Sequence, residues 1–106
     1  MKSLVLKVAA KARHKHHVHV AIVTRGGAIV AIGYNHEEVH AEDMALSKLW
    51  PSERIGTKLY SIRVRPGGKY GMAKPCDDCM KLIESSGVKQ VFYSTDTGMV
   101  RIKVAR

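Results

Sequence analysis

His40-Ala41-Glu42 and Pro75-Cys76-Asp77-Asp78-Cys79 carry the side chains of this chain best suited to chemistry. His-x-Glu alone arises often by chance, and a lone Cys-x-x-Cys is compatible with redox, structural or incidental use. Together the two motifs supply one imidazole, two thiolates and one carboxylate, and the second contains both cysteines of the chain. Imidazole nitrogen and thiolate sulfur suit tetrahedral zinc, and three protein ligands leave its fourth position for water. His40, Cys76 and Cys79 are therefore the candidate ligands of a Zn2+ ion, and Glu42 is the spare acid beside that water. A thioredoxin-type redox pair is an alternative use of the cysteines, but it leaves His40 and Glu42 idle. Two cysteines cannot build a disulfide framework or a four-cysteine zinc ribbon.

Hydrophobic periodicity outlines the elements that must hold these groups. Leu4, Val5, Val8, Ala9 and Ala12 share one side of a first helix that would cover a sheet face. Val18 to Val23 reads as a strand, Arg25-Gly26-Gly27-Ala28 as a tight hairpin turn, and Ile29 to Ile32 as the returning strand. Gly33-Tyr34-Asn35 closes that strand, and His36 to Val39 form a polar loop. His40 to about Leu49 reads as a helix halted by Pro51, which places His40 and Glu42 in its first turn. Leu59 to Val64 is a third strand, with Tyr60, Ile62 and Val64 on one side. Arg65 to Lys74 is an irregular loop rich in glycine and positive charge, expected to border the pocket. Cys76 to Ser86 is the next helix, entered from Pro75, with Asp77 and Asp78 in its first turn and Gly87 after its end. Cys76 and Cys79 then face one point, and the helix start is expected to lower their thiol pKa. Val91 to Ser94 and Met99 to Val104 are the last strands. Their four-residue connection can only be an antiparallel hairpin.

The H-x-E … P-C-x-x-C pattern, in this order and setting, resembles the zinc-dependent cytidine deaminase superfamily over nearly the whole chain. The resemblance implies an α/β fold of three layers, α/β/α. Its five-stranded mixed sheet has the order 2-1-3-4-5, with helices on both faces and the last two strands antiparallel. Residues 1–106 would form a single such domain. The implied activity is zinc-dependent hydrolytic deamination of a cytosine base, in cytidine, deoxycytidine or a nucleotide of these, to uracil and ammonia. Zinc would acidify its water, and Glu42 would carry the proton from that water to N3 of the ring and then to the leaving amine. Asn35 matches the position at which family members bind the substrate sugar, although an Asn after a strand also stabilises turns through its own backbone. Ala41, Lys74 and Pro75 follow as further substrate contacts. The C-terminal hairpin resembles the branch acting on free cytidine. Relatives acting on deoxycytidylate or on polynucleotides usually place a helix there.

Two departures bear on the substrate. Lys74 precedes Pro75, where relatives often carry a small residue or an acid, and the extra zinc-binding residues of many deoxycytidylate deaminases are missing. Lys74, Lys69, Arg65 and Arg63 could receive a phosphate; otherwise they solvate a loop, the reading preferred for Arg63 on its strand. Trp50 and Tyr60 are expected in the core or an interface. The Arg13-His14-Lys15-His16-His17 segment reads as a surface turn, and His14, His16, His17 and His19 receive no role. His36 is the residue that could close the zinc site as a fourth ligand, making it purely structural.

At 106 residues the chain is large enough for one core, and its 18 Lys+Arg against 9 Asp+Glu give a net charge of +9. Such a charge concentrates anions, so nucleic acid is a second candidate partner and editing of single-stranded DNA or RNA an alternative activity. The aromatics, one Trp, four Tyr and one Phe, are scattered rather than arranged to stack bases. A non-catalytic basic zinc module is the third reading. No apolar run reaches the ~18 residues of a membrane span, and the basic start reads as a structural helix in preference to a transit segment. A cytoplasmic enzyme is expected, and family members form dimers or tetramers that complete one another's pockets, so a homo-oligomer is expected too.

Overall fold

In the strand Val18–Arg25 (β1), alternate residues are buried on opposite faces, and this alternation decides how the layers stack. Val20 and Ile22 pack with Val5 and Val8 of the helix Lys2–Ala9 (α1), together with Ile62 and Val64. Ala21 and Val23 pack on the other side with Ala41, Ala45, Leu46 and Ile83 from two further helices. All four strand residues are fully buried, so β1 separates two cores and the molecule has three layers. The computed structural model describes residues 2–10, 18–35 and 39–104. His14, His16, His17 and His36 lie outside the described residues.

From β1 the chain turns through Gly26 and Gly27, at φ 58° and 85°, into Ala28–Tyr34 (β2). Paired positive φ angles give the turn whose twist matches a hairpin. Then follow Ala41–Ser47 (α2), Pro51–Arg54 (α3), Lys58–Val64 (β3), Tyr70–Gly71 (β4), Asp77–Ser86 (α4), Gln90–Thr95 (β5) and Gly98–Lys103 (β6). The sheet runs β2-β1-β3-β5-β6, with β4 attached to β3. Apart from the two-residue β4, this is the order expected from the sequence. The β3–β5 pair is parallel and the other neighbours are antiparallel, including the terminal β5–β6 hairpin.

Three local details depart from the sequence reading. The helix expected from His40 to Leu49 begins at Ala41, and Pro51 opens α3 instead of only ending α2. A first-turn proline costs no hydrogen bond, since that N–H has no helical partner. Trp50, just before it, is 76% exposed and lies outside the core; its backbone N–H donates to Glu53 Oε1 at 2.8 Å. The glycine-rich loop after β3 is partly ordered. Arg65 N–H donates to Lys69 O at 2.6 Å, and Tyr70–Gly71 pair with β3.

Gly33 sets how closely α2 approaches the sheet. A Cβ there would collide with the Ala41 carbonyl oxygen and lie 2.5 Å from Ala45 N. Only glycine lets the helix backbone lie directly on β2. The ammonium of Lys48 donates to Ile32 O at 2.6 Å and anchors the far end of α2 to the same strand.

Candidate metal centre and active site

His40 and Cys76 are the N-cap residues of α2 and α4, with extended backbone at φ −74°, ψ 150° and φ −69°, ψ 169°. Their carbonyls accept the first helical bonds, from Met44 N–H at 3.1 Å and Met80 N–H at 2.8 Å. Neither side chain caps its own helix, although N-caps commonly do so. Both instead converge with Cys79, one turn into α4. The donor atoms of His40, Cys76 and Cys79 all lie within 4.8 Å of one another. Cys79 is buried whereas His40 and Cys76 are exposed, so this corner opens to the surface.

The donor set fits zinc. Bonds of about 2.3 Å to sulfur and about 2.0 Å to nitrogen at a tetrahedral angle would set S and N about 3.5 Å apart. Cys79 Sγ and His40 Nδ1 are 3.4 Å apart. Burial pushes the Cys79 thiol far above its usual range, reinforced by the hydrogen bonds it donates to Cys76 and Glu42 and by their negative charge. This reverses the expected lowering by the helix start: in the protein matrix alone, desolvation and two acidic neighbours outweigh the helix dipole. A divalent cation is what would make two adjacent thiolates stable here. Among the described residues the cluster has three members, and His36, the candidate for a fourth, lies outside the described residues.

Glu42, one residue into α2, is 1% exposed and reaches from Cys79 towards the sheet. Ser61 Oγ is 3.1 Å from Glu42 Oε1 and 2.9 Å from the Ala73 carbonyl oxygen. His19 Nε2 is 3.2 Å from Glu42 Oε1 and 2.7 Å from Ser61 Oγ. Burial lowers the His19 pKa, the Glu42 carboxylate opposes that shift, and the charges of His40 and Arg63 add to it. His19 had no assigned role in the sequence. One signal for it was available: it lies in phase with Ala21 and Val23, on the face of β1 that meets α2.

The remaining expected contacts are distributed unevenly. Asn35 Oδ1 accepts the His19 backbone N–H at 2.8 Å, and Asn35 N–H donates to His19 O at 3.1 Å. Asn35 thus ties the end of β2 to the β1 backbone at His19, across strands and not within a local turn. Ala41 and Pro75 are buried next to the metal ligands, and Lys74 is exposed. Arg63 is half-buried and not simply solvated; its guanidinium is close enough to lower the His19 pKa. A chain of hydrogen bonds delivers Pro75 and Cys76 to the corner. Ser94 Oγ donates to Gly71 O at 2.7 Å, Ala73 N–H donates to Ser94 O at 2.9 Å, and Ser61 lies against the Ala73 carbonyl.

Comparison with known proteins agrees with this geometry. A solved structure of a dCMP deaminase from the cyanophage S-TIM5, in apo form, is similar over 91% of this chain and 83% of that one. The two share 27% sequence identity with a TM-score of 0.56. Comparison with curated proteins gives no significant match. No helix among the described residues is long and apolar enough to cross a membrane. The family model for the cytidine and deoxycytidylate deaminase zinc-binding region matches residues 1–95, a span that contains all three metal donors and Glu42, and the chain belongs to that family.

Proposed function

We propose that this protein hydrolyses the exocyclic amine of cytosine in a free nucleoside or nucleotide, releasing ammonia and leaving uracil. One observation carries the reading: a buried carboxylate, Glu42, adjoins a three-donor metal corner that is open to the surface. Zinc bound by His40, Cys76 and Cys79 would supply a water acidified towards neutrality. Glu42 accepts one proton of that water and donates it to N3 as C4 becomes tetrahedral, then takes the remaining hydroxyl proton and passes it to the departing amine. The water oxygen ends on C4 and the nitrogen leaves as ammonia, so no redox partner is needed. Ala41 and Pro75 flank the base, and Asn35 contributes through its amide group, its Oδ1 being engaged by His19. Lys74 and Arg63 offer positive charge to a phosphate, and the similar cyanophage protein is named a dCMP deaminase.

Residues 1–106 would act as one catalytic unit in the cytoplasm, where thiols stay reduced. A homo-oligomer, dimer or tetramer, would cover Val39 and Met72, which are 45% and 55% exposed and close in sequence to His40 and Pro75. The test is ammonia release from cytidine, deoxycytidine, their monophosphates and a cytosine-containing oligonucleotide, with zinc-loaded protein. Turnover of a small substrate supports the proposal. Turnover of the oligonucleotide alone would move the activity to polynucleotides, for which the charge of +9 is the motive. No uracil product from any of them, with zinc bound and the fold intact, would leave a non-catalytic zinc module.

A further inference from the structure

Hydrogen positions in the His19–Ser61–Glu42 cluster follow from counting donors. The Ser61 hydroxyl has one hydrogen and two oxygen acceptors in reach, Ala73 O at 2.9 Å and Glu42 Oε1 at 3.1 Å. If that hydrogen went to His19 Nε2, both oxygens would lose the hydroxyl as donor inside a buried site, which is costly. The 2.7 Å contact between His19 Nε2 and Ser61 Oγ is therefore donated by the ring. The same Nε2–H lies 3.2 Å from Glu42 Oε1. The His19 backbone is fixed from both sides, by pairing with β3 on one and by Asn35 on the other.

We propose that His19 is a positioning residue for Glu42: its Nε2–H, with Ser61, engages carboxylate oxygen Oε1, so that proton transfer is carried by Oε2 and the carboxylate stays off the metal. This rests on the deaminase reading. Glu42 follows His40 by two residues at the start of α2, so a carboxylate released from the ring is near enough to the metal corner to join the water there as an additional ligand. The His19 ring meets Ser61 Oγ and Glu42 Oε1, and its effect is exerted through Glu42.

Two substitutions separate this role from general stability. The Gln amide nitrogen can stand where His Nε2 stands, whereas the shorter Asn amide stands where Nδ1 does. The measurements are kcat and KM for the substrate turned over, zinc content, and the visible spectrum of cobalt-substituted protein, whose intensity falls when a fifth ligand joins four. For His19→Ala and His19→Asn we expect full metal content, kcat lowered roughly 100-fold and KM within about threefold. His19→Gln should recover most of kcat. Cobalt in His19→Ala should show the weaker spectrum of higher coordination, reversed by adding Glu42→Gln. Equal rescue by Gln and Asn, a change confined to KM, or a cobalt spectrum unchanged in His19→Ala would each overturn the proposal. If wild-type protein turns over nothing, the deaminase reading fails, and the cobalt arm alone still decides whether His19 restrains Glu42.

Discussion

The metal corner and the His19–Ser61–Glu42 cluster are neighbours built in opposite ways. The corner is assembled from the starts of two helices, is partly exposed, and takes its donors from two short motifs. The cluster draws on β1, β3 and α2, is almost closed to solvent at Glu42 and Ser61, and uses residues 19, 42 and 61. The first gathers an imidazole and two thiols at two helix starts. The second orients a carboxylate through strand register. A catalytic zinc site needs both, because a metal beside an unrestrained acid is a metal with one more ligand.

If the corner alone binds the ion, Cys79→Ala should empty it. Zinc content should fall to near zero and activity should drop by more than about 1000-fold, with a lower melting temperature because binding and folding are coupled. Retention of stoichiometric zinc would show that the donors lie elsewhere. Glu42→Gln probes the other half of the comparison. Zinc should remain and kcat should fall about 100- to 10,000-fold, the range for removing a general acid–base group. An active Glu42→Gln enzyme would remove the carboxylate from the mechanism.

Gly33→Ala touches neither group directly but displaces the helix that carries His40 and Glu42. Overpacking of this kind costs about 1–3 kcal/mol, and chemical denaturation should read it together with weaker zinc retention. Unchanged stability would mean that α2 can move off β2 freely.

The smallest effect concerns pH. Burial, the largest influence on His19, favours its neutral form in the folded protein, with Glu42 opposing and with His40 and Arg63 assisting. The unfolded chain then binds more protons than the folded one as pH falls below the ordinary histidine value of 6.5. Stability from this group is complete above that value and declines as pH drops towards the lowered folded value. Melting temperatures of zinc-loaded wild type and His19→Gln between about pH 7 and about pH 5.5 should diverge, with wild type falling more steeply. Parallel curves would show that His19 is not desolvated.

Much of the fold could be read along the chain. Gly26-Gly27 marked the first hairpin, the short Thr95–Gly98 connection marked the last, and Tyr60, Ile62 and Val64 identified one face of β3. The misreadings share a cause. Pro51 was taken as a stop and also opens α3, and the Cys79 thiol, expected to be lowered by its helix start, is pushed up by burial in the protein matrix alone. Each depends on what a residue meets across space. A proline's local geometry is equally compatible with ending one helix and opening another, and a thiol responds to its whole surroundings as well as to the helix beneath it.

Donor chemistry was legible because Cys76 and Cys79 are three apart, a spacing that one helical turn converts into shared direction, and because His40 and Glu42 are residue types suited to the same chemistry. Sequence alone thus pointed to zinc, to the three donors that the fold brings together and to the acid near them. Which residue would restrain that acid was decided only when β1 paired with β3 and α2 settled on Gly33, bringing His19 and Ser61 to the same carboxylate oxygen. Contacts across 19 to 42 residues of separation carry no local spacing rule, so they exist only once the sheet has its register.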